Sequence, residues 1–560
     1  MKSGAKPRSA GKERETAWLF HGGRILDAPR AAAWRAPTQR AKSPRAGSVR
    51  ARASSYQEAV LVRGERIESV GPLDRLRREA GRGARLVDLR GGTLTPGFVD
   101  SHIHLLTWIR AVSDVWLAKQ SPEGLEDAVR TARGLARGED WVTIRGWVPR
   151  EWSRDLKSRA TLDRLIPERP LVLYAVDGHS VWGNSAALRI AGIHGRTPDP
   201  SGGAVDRDAA GEATGVLIEA ARSLIGPFVR RHRDPAEELA GAIRKAHSLG
   251  ITGAHDFDPT EIRSAAQRLA ARGPLPFRLL LSVPASQLDS AEALELRSGW
   301  GDERLRLGAV KFFADGTLGS GTALLESEYE DGTGTGVEVI SRPELTDRCA
   351  RARKAGLTVA IHAIGDRAVR NALDAIEGAI QSGGPFPLPP RIEHIQLARE
   401  EDFPRFKALG VHASVQPIHQ VTDRVVAKRK WGARTARSYA YRSLLRAGAR
   451  LLFGSDAPFD RPGPLLGLQA AMLRREHGEG PGDAFHPEQR LGLAQTLRAH
   501  LEEPNVVAGW RTPLGRLRVG WGADLVQFDQ DLLQMEPDRL GRAKIRGVWV
   551  AGSKVHGKSL

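Results

Sequence analysis

Eight short apolar runs recur between residues 98 and 453, most of them separated by stretches long enough to hold a helix. They lie at 98–103, 250–257, 277–283, 309–313, 359–361, 392–395, 411–415 and 451–453. Short runs that are apolar on both faces suit parallel strands covered by helices, and eight of them predict a closed (β/α)₈ barrel of the TIM type. A ninth run, at 171–176, does not fit that count. It falls between residues 105 and 249, a span far longer than one helical crossover. An inserted segment at about 108–240 is therefore expected over the barrel mouth, where long insertions shape access to a site. The α/β barrel with this insertion is expected to occupy 96–504.

The two ends of the chain carry short strand patterns of another kind. Segments 17–95 and 505–560 predict one small β-sandwich built from both termini. Within it, 28–55 is rich in Ala, Arg, Pro and Ser without periodicity and reads as a basic loop insertion. Residues 1–16 read as a disordered basic tail.

The net charge of +18 raises the question of nucleic acid, but its distribution argues against that partner. Residues 1–56 hold 13 Lys/Arg against 3 Asp/Glu, a net of +10, which leaves +8 for the remaining 504 positions. Aromatics are not interleaved with those charges in any repeating pattern, so the segment reads as solvated rather than as a binding face. A single cysteine, Cys349, excludes intrachain disulfides and thiolate zinc clusters. With no apolar run of bilayer length and no apolar segment after the basic first residues, a cytoplasmic location is expected. A homo-oligomer remains open.

Barrel enzymes place their chemistry at the C-terminal ends of the strands. The first run ends in His102-Ile103-His104, where strand alternation turns both imidazoles to one side and Ile103 to the helices. The fourth carries Lys311, the fifth leads to His362, the sixth to His394 and the eighth to Asp456. Imidazoles with a carboxylate suit Zn²⁺ and its divalent neighbours, as one ion or two. A lysine ammonium has donors and no acceptor. Lys311 thus belongs to such a set only as a carbamate formed with CO₂, or it has another role. Gln416 and His419, after the seventh strand, stand where substrate contacts are expected. Glu393 should alternate outward into an ion pair. His255 and Asp256 could touch substrate or merely pack.

Five segments carry a specific resemblance. Thr95-Pro-Gly-Phe-Val-Asp-Ser-His-Ile-His, Val310-Lys-Phe-Phe-Ala-Asp-Gly, Ile361-His-Ala-Ile-Gly-Asp, Arg391-Ile-Glu-His-Ile-Gln and Phe453-Gly-Ser-Asp-Ala-Pro resemble the amidohydrolase superfamily, and within it the amidohydrolase-3 branch. The resemblance runs from about residue 57 to the C-terminus and implies a metal-dependent hydrolase. It implies His102, His104, carbamylated Lys311, His362, His394 and Asp456 as ligands. It also implies that His179 approaches substrate from the inserted segment. One departure is Gly321, which stands where that branch carries an arginine, removing a cation from the inherited pattern.

The expected reaction is hydrolysis of a non-peptide C–N bond in a small-molecule N-acyl or N-formyl amine, with Asp456 as general acid/base. The same scaffold also runs hydrolysis of cyclic amides and deamination of amidines. A metal-stabilised scaffold without activity, or a nucleic-acid binder using the basic leader, are the non-enzymatic alternatives.

Overall fold

The computed structural model describes residues 16–33, 58–117, 122–135, 141–149, 152–176, 178–229, 234–259, 261–476 and 478–558. Residues 1–15 of the tail expected at 1–16 and most of the 28–55 insertion lie outside them. Of the latter, only the short helix Ala28–Ala33 falls within, and it packs against the helix Leu493–Leu501 rather than looping free.

The eight runs form one parallel sheet: β1 (Phe98–Ile103), β2 (Ile251–Asp256), β3 (Arg278–Pro284), β4 (Leu305–Phe313), β5 (Val359–Ala363), β6 (Arg391–His394), β7 (His412–Val415) and β8 (Arg450–Phe453). Each strand pairs with its successor in sequence. The circle closes just beyond β8. There the Asp456 N–H donates to the His102 carbonyl at 2.7 Å and the His104 N–H to the Ala457 carbonyl at 3.0 Å. Gly454 makes that approach possible, since a Cβ there would stand 2.5 Å from the His102 nitrogen. Gly454→Ala is therefore expected to force the seam apart, costing about 1–3 kcal/mol. A lower thermal midpoint with reduced metal content would report it; unchanged values for both would contradict this account of closure.

Outward-facing strand residues meet the helices as barrel packing requires. Ile103 lies in an apolar cluster with Leu106, Leu239 and Ile243 from the helices Leu105–Ser113 and Pro235–Ser248. Those two helices pack on the barrel wall, so the inserted unit proper begins after the first and ends before the second. It is a six-stranded mixed sheet running from Val115–Trp116 to Ala213–Glu219. The ninth apolar run is its strand Leu171–Ala175, covered by Trp147, Trp182 and Leu162.

Both termini supply a β-sandwich. A four-stranded sheet, which includes Ala17–His21 and Glu58–Arg63, faces a five-stranded sheet joining Arg24–Ile25 and Thr93–Pro96 to Leu525–Phe528, Ile545–Val550 and Ser553–His556. Trp18 and Phe20 pack edge-on to Trp549 between them, with ring centroids 5.7 and 4.9 Å away. The break expected at 505 instead falls inside the helix Glu503–Ala508, which packs against the barrel.

Candidate metal centre

The barrel interior is polar where many such barrels are filled by branched aliphatics. Arg391, on β6, is fully buried and donates to the Ser101 carbonyl (2.6 Å), Ser414 Oγ (2.7 Å) and both oxygens of Glu393. Its Nη1 lies 2.7 Å from His255 Nδ1. A buried guanidinium needs this many acceptors to offset its desolvation.

Glu393 passes that network on to the mouth. It turns into the barrel, not outward as alternation suggests, and one of its oxygens accepts from His102 Nδ1 at 2.7 Å. The reason is local. His394 and Ile395 take φ of 73° and 48°, so the strand ends in a left-handed turn and alternation no longer governs where His394 points. Asp456 has φ of 58°, a third non-glycine residue held in that region at the same site.

These turns bring separated residues together. His102, His394 and Asp456 each offer an atom, all within 4.8 Å of one another, and all three side chains are buried. His102 Nε2 and His104 Nε2 each lie 3.4 Å from Asp456 Oδ1. His362 lies edge-on to His394 with centroids 4.5 Å apart, and its Nε2 lies 2.9 Å from the Gly316 carbonyl oxygen. Lys311 Nζ rests between the rings of Phe257 and Phe313, at 4.6 and 5.1 Å. All six expected ligands line one cavity of about 440 Å³ at the C-terminal end of the strands.

The protonation states suit a cation. Burial, reinforced by the Lys311 charge, pushes His102 well below an ordinary imidazole, and burial with neighbouring imidazoles does the same to His394. His362 falls to about 4 for the same reasons as His102. Burial opposes ionisation of Asp456, yet His102 and His104 outweigh it and hold the carboxyl below the usual range. His104 moves the other way: burial lowers it, but the bond to Asp456 and the charges of Asp456, Asp258 and Asp256 win. Burial brings Lys311 down to about 8.

With Nδ1 of His102 committed to Glu393, its Nε2 lone pair faces a carboxylate oxygen with no proton to share. Two acceptors turned toward each other at 3.4 Å fit a shared cation, because tetrahedral donors about 2.1 Å from an ion stand ~3.4 Å apart. His394 is set the same way, with Nδ1 2.9 Å from Gln416 Oε1 and Nε2 left over.

The expected substrate contacts divide. His179 and His419 line the cavity; His419 Nε2 is 3.9 Å from Asp456 Oδ2, and His179 bridges Glu219 (2.9 Å) and Thr317 (3.2 Å). Gln416 lies behind His394, buried and off the cavity wall. His255 and Asp256 are also off the wall. The first contacts Arg391, and the second, with Asp258, accepts the backbone N–H groups at the start of Leu105–Ser113 and so secures the chain after His104. Gly321 has φ of 73°, and Lys430 Nζ lies 2.8 Å from where its Cβ would be, so a cation stands beside this position from another element. Residues that the strand-end rule misses are Arg222, Gln396, Asp423, Phe459 and Asp460, all on the wall. Of these only Gln396, two positions after His394, carried a spacing signal.

Residues 85–556 match the family described as the amidohydrolase family. The chain is 33% identical over 516 residues to YtcJ of Bacillus subtilis, covering 90% of this chain and 96% of YtcJ. It is 29% identical to the N-substituted formamide deformylase of Arthrobacter pascens, covering 89% of this chain and 95% of that one. Among solved structures, an uncharacterized metal-dependent hydrolase from Pyrococcus horikoshii superposes with a TM-score of 0.76 at 26% identity, over 93% of this chain and 99% of that one. A parallel barrel, a buried histidine–aspartate cluster at its mouth and a family match over most of the sequence agree: the chain belongs to the amidohydrolase family and is a metal-dependent hydrolase of that family, whose class acts on carbon–nitrogen bonds.

Proposed function

We propose that this enzyme hydrolyses the C–N bond of a small N-acyl or N-formyl amine, with Asp456 as general acid/base. The observation that carries this reading is the convergence of His102, His394 and Asp456 in a cavity of substrate size. His102, His104, His362, His394 and Asp456 would hold a divalent ion, Zn²⁺ by donor chemistry, as one ion or two. Such an ion supplies a water of lowered pKa and a Lewis acid for the scissile carbonyl.

Asp456, held ionised by its imidazole neighbours, takes the proton of the attacking water and later delivers it to the leaving nitrogen. His419 and His179, on the cavity wall, are placed to donate to the carbonyl oxygen as it gains charge. His179 belongs to the inserted unit and lines the cavity, which supports a role for that unit in substrate binding.

Lys311 as an ammonium would repel a divalent ion in the same cavity. Its amine, brought down to about 8, has a neutral fraction able to attack CO₂, forming an N–C bond and releasing one proton. Starting from the ammonium, two protons leave in all, one on forming the neutral amine and one with the N–C bond, and the cation becomes an anionic carbamate with oxygen donors. The test is metal analysis of the purified protein with a panel of N-formyl, N-acyl and cyclic amides. Chelation is expected to abolish turnover and Zn²⁺ with bicarbonate to restore it, while CO₂-free buffer should leave recovery incomplete. Full recovery without bicarbonate would remove the carbamate; no turnover of any amide by metal-loaded protein would remove the assignment.

A further inference from the structure

The cavity has a second polar end that the hydrolytic chemistry does not use. Asp423 and Asp460 both lie on its wall, together with Thr422 and Gln396. Asp423 directly precedes the helix Arg424–Trp431 but makes no capping hydrogen bond with its side chain. Its Oδ2 accepts from Tyr439 Oη (3.0 Å) and Gln396 Nε2 (3.3 Å), while Oδ1 has no hydrogen-bond partner among the described residues. Asp460 accepts from Thr422 Oγ1 at 3.1 Å and from the Arg461 backbone N–H at 2.8 Å.

Gln396 is 4% exposed, and its Oε1 is buried with no partner. Its Nε2 spans to His419 Nδ1 at 3.4 Å, and His419 in turn reaches Asp456. Three acceptor groups therefore gather one imidazole away from the reacting centre. Among the described residues no lysine or arginine nitrogen comes within 4.0 Å of either carboxylate. The other charged groups in range are His419, which acts on both, and Arg461, which acts on Asp460. Burial raises both carboxyls above their ordinary range, with His419 acting against it at each. Phe459, half exposed beside Asp460, presents a ring of the kind that receives cations.

We propose that this end of the cavity binds a cationic group of the substrate, an alkylammonium or guanidinium, on Asp423, Asp460 and Gln396. Such a group meets Asp423 Oδ1 and Gln396 Oε1, which have no donor among the described residues, and the Asp460 carboxylate, whose two neutral donors leave its charge unpaired. The amide to be cleaved then lies on the far side of His419, against Asp456. The inference rests on the proposed function for its substrate's reacting bond, and not for the binding of the cation itself.

Two measurements on the metal-loaded full chain separate those dependencies. In calorimetry, n-butylammonium is expected to bind saturably at neutral pH and n-butanol far more weakly. Asp423→Asn and, separately, Asp460→Asn at the rim should each weaken the ammonium by about tenfold or more, as loss of a charge-assisted hydrogen bond implies. In kinetics, the ratio of kcat/KM for N-formyl-1,4-diaminobutane over N-formylbutylamine should exceed one and fall about tenfold in the same variants. Equal binding of ammonium and alcohol, or a selectivity ratio untouched by both variants, would overturn the proposal. If neither amide is hydrolysed yet ammonium binds and the variants weaken it, the cation site stands and the reaction assignment fails.

Discussion

Asp456→Asn is expected to lower kcat by about two to four orders of magnitude while the protein keeps its fold. The carboxylate sits 3.4 Å from both His102 Nε2 and His104 Nε2, at the seam where the barrel closes. An asparagine of nearly equal size preserves packing and the backbone bond from residue 456 to His102. It cannot take a proton from water, and it removes the carboxylate charge that lies against His102 Nε2 and His104 Nε2. Circular dichroism and thermal melting should be close to those of the parent, with turnover collapsed even at saturating metal. Turnover near the parent level would remove Asp456 from the proton path.

Glu393→Gln is expected to weaken metal affinity by about 10–100-fold without touching any expected ligand. Burial disfavours the charged form of Glu393, but Arg391 and then Lys311 outweigh this and keep it ionised. An ionised carboxylate can only accept, so the proton shared with His102 rests on Nδ1 and leaves Nε2 free as a donor atom. Glutamine can present an N–H to His102 instead, which favours the opposite tautomer and blocks Nε2. The substitution also leaves Arg391 without a counter-charge in the barrel interior, which destabilises by about 3–5 kcal/mol. Metal titration read by competition with a chromophoric chelator distinguishes the two effects. A purely structural role predicts a lower melting temperature with unchanged affinity per folded molecule; a positioning role predicts that excess metal restores much of kcat. Unchanged affinity would dismiss the relay.

The pairing of Glu393 with His102 shows where sequence periodicity stops being informative. Alternation holds along β1, where Ile103 packs among helices and its neighbours face the site. It fails at the end of β6, because the positive φ of His394 and Ile395 belongs to a loop conformation that no side-chain pattern encodes. Gln416 illustrates the same limit. Its place after β7 suggested substrate, whereas its side chain reaches sideways to the adjacent strand and braces His394.

What the sequence determined alone was the architecture and the set of strand-end side chains that line one cavity. Apolar runs of strand length repeat eight times, and strand-end chemistry is a property of each run, readable without its neighbours. Chain length alone pointed to an inserted segment, and its six-stranded sheet is visible only in the structure. Which groups meet was decided only by closure of the barrel and by the loops at its rim. Contacts such as Glu393 with His102, Asp423 with Gln396, or Arg391 with Ser101 join elements far apart in the chain or turn against local periodicity. Their energies depend on three-dimensional distance and burial, and neither quantity is carried by residues read one after another.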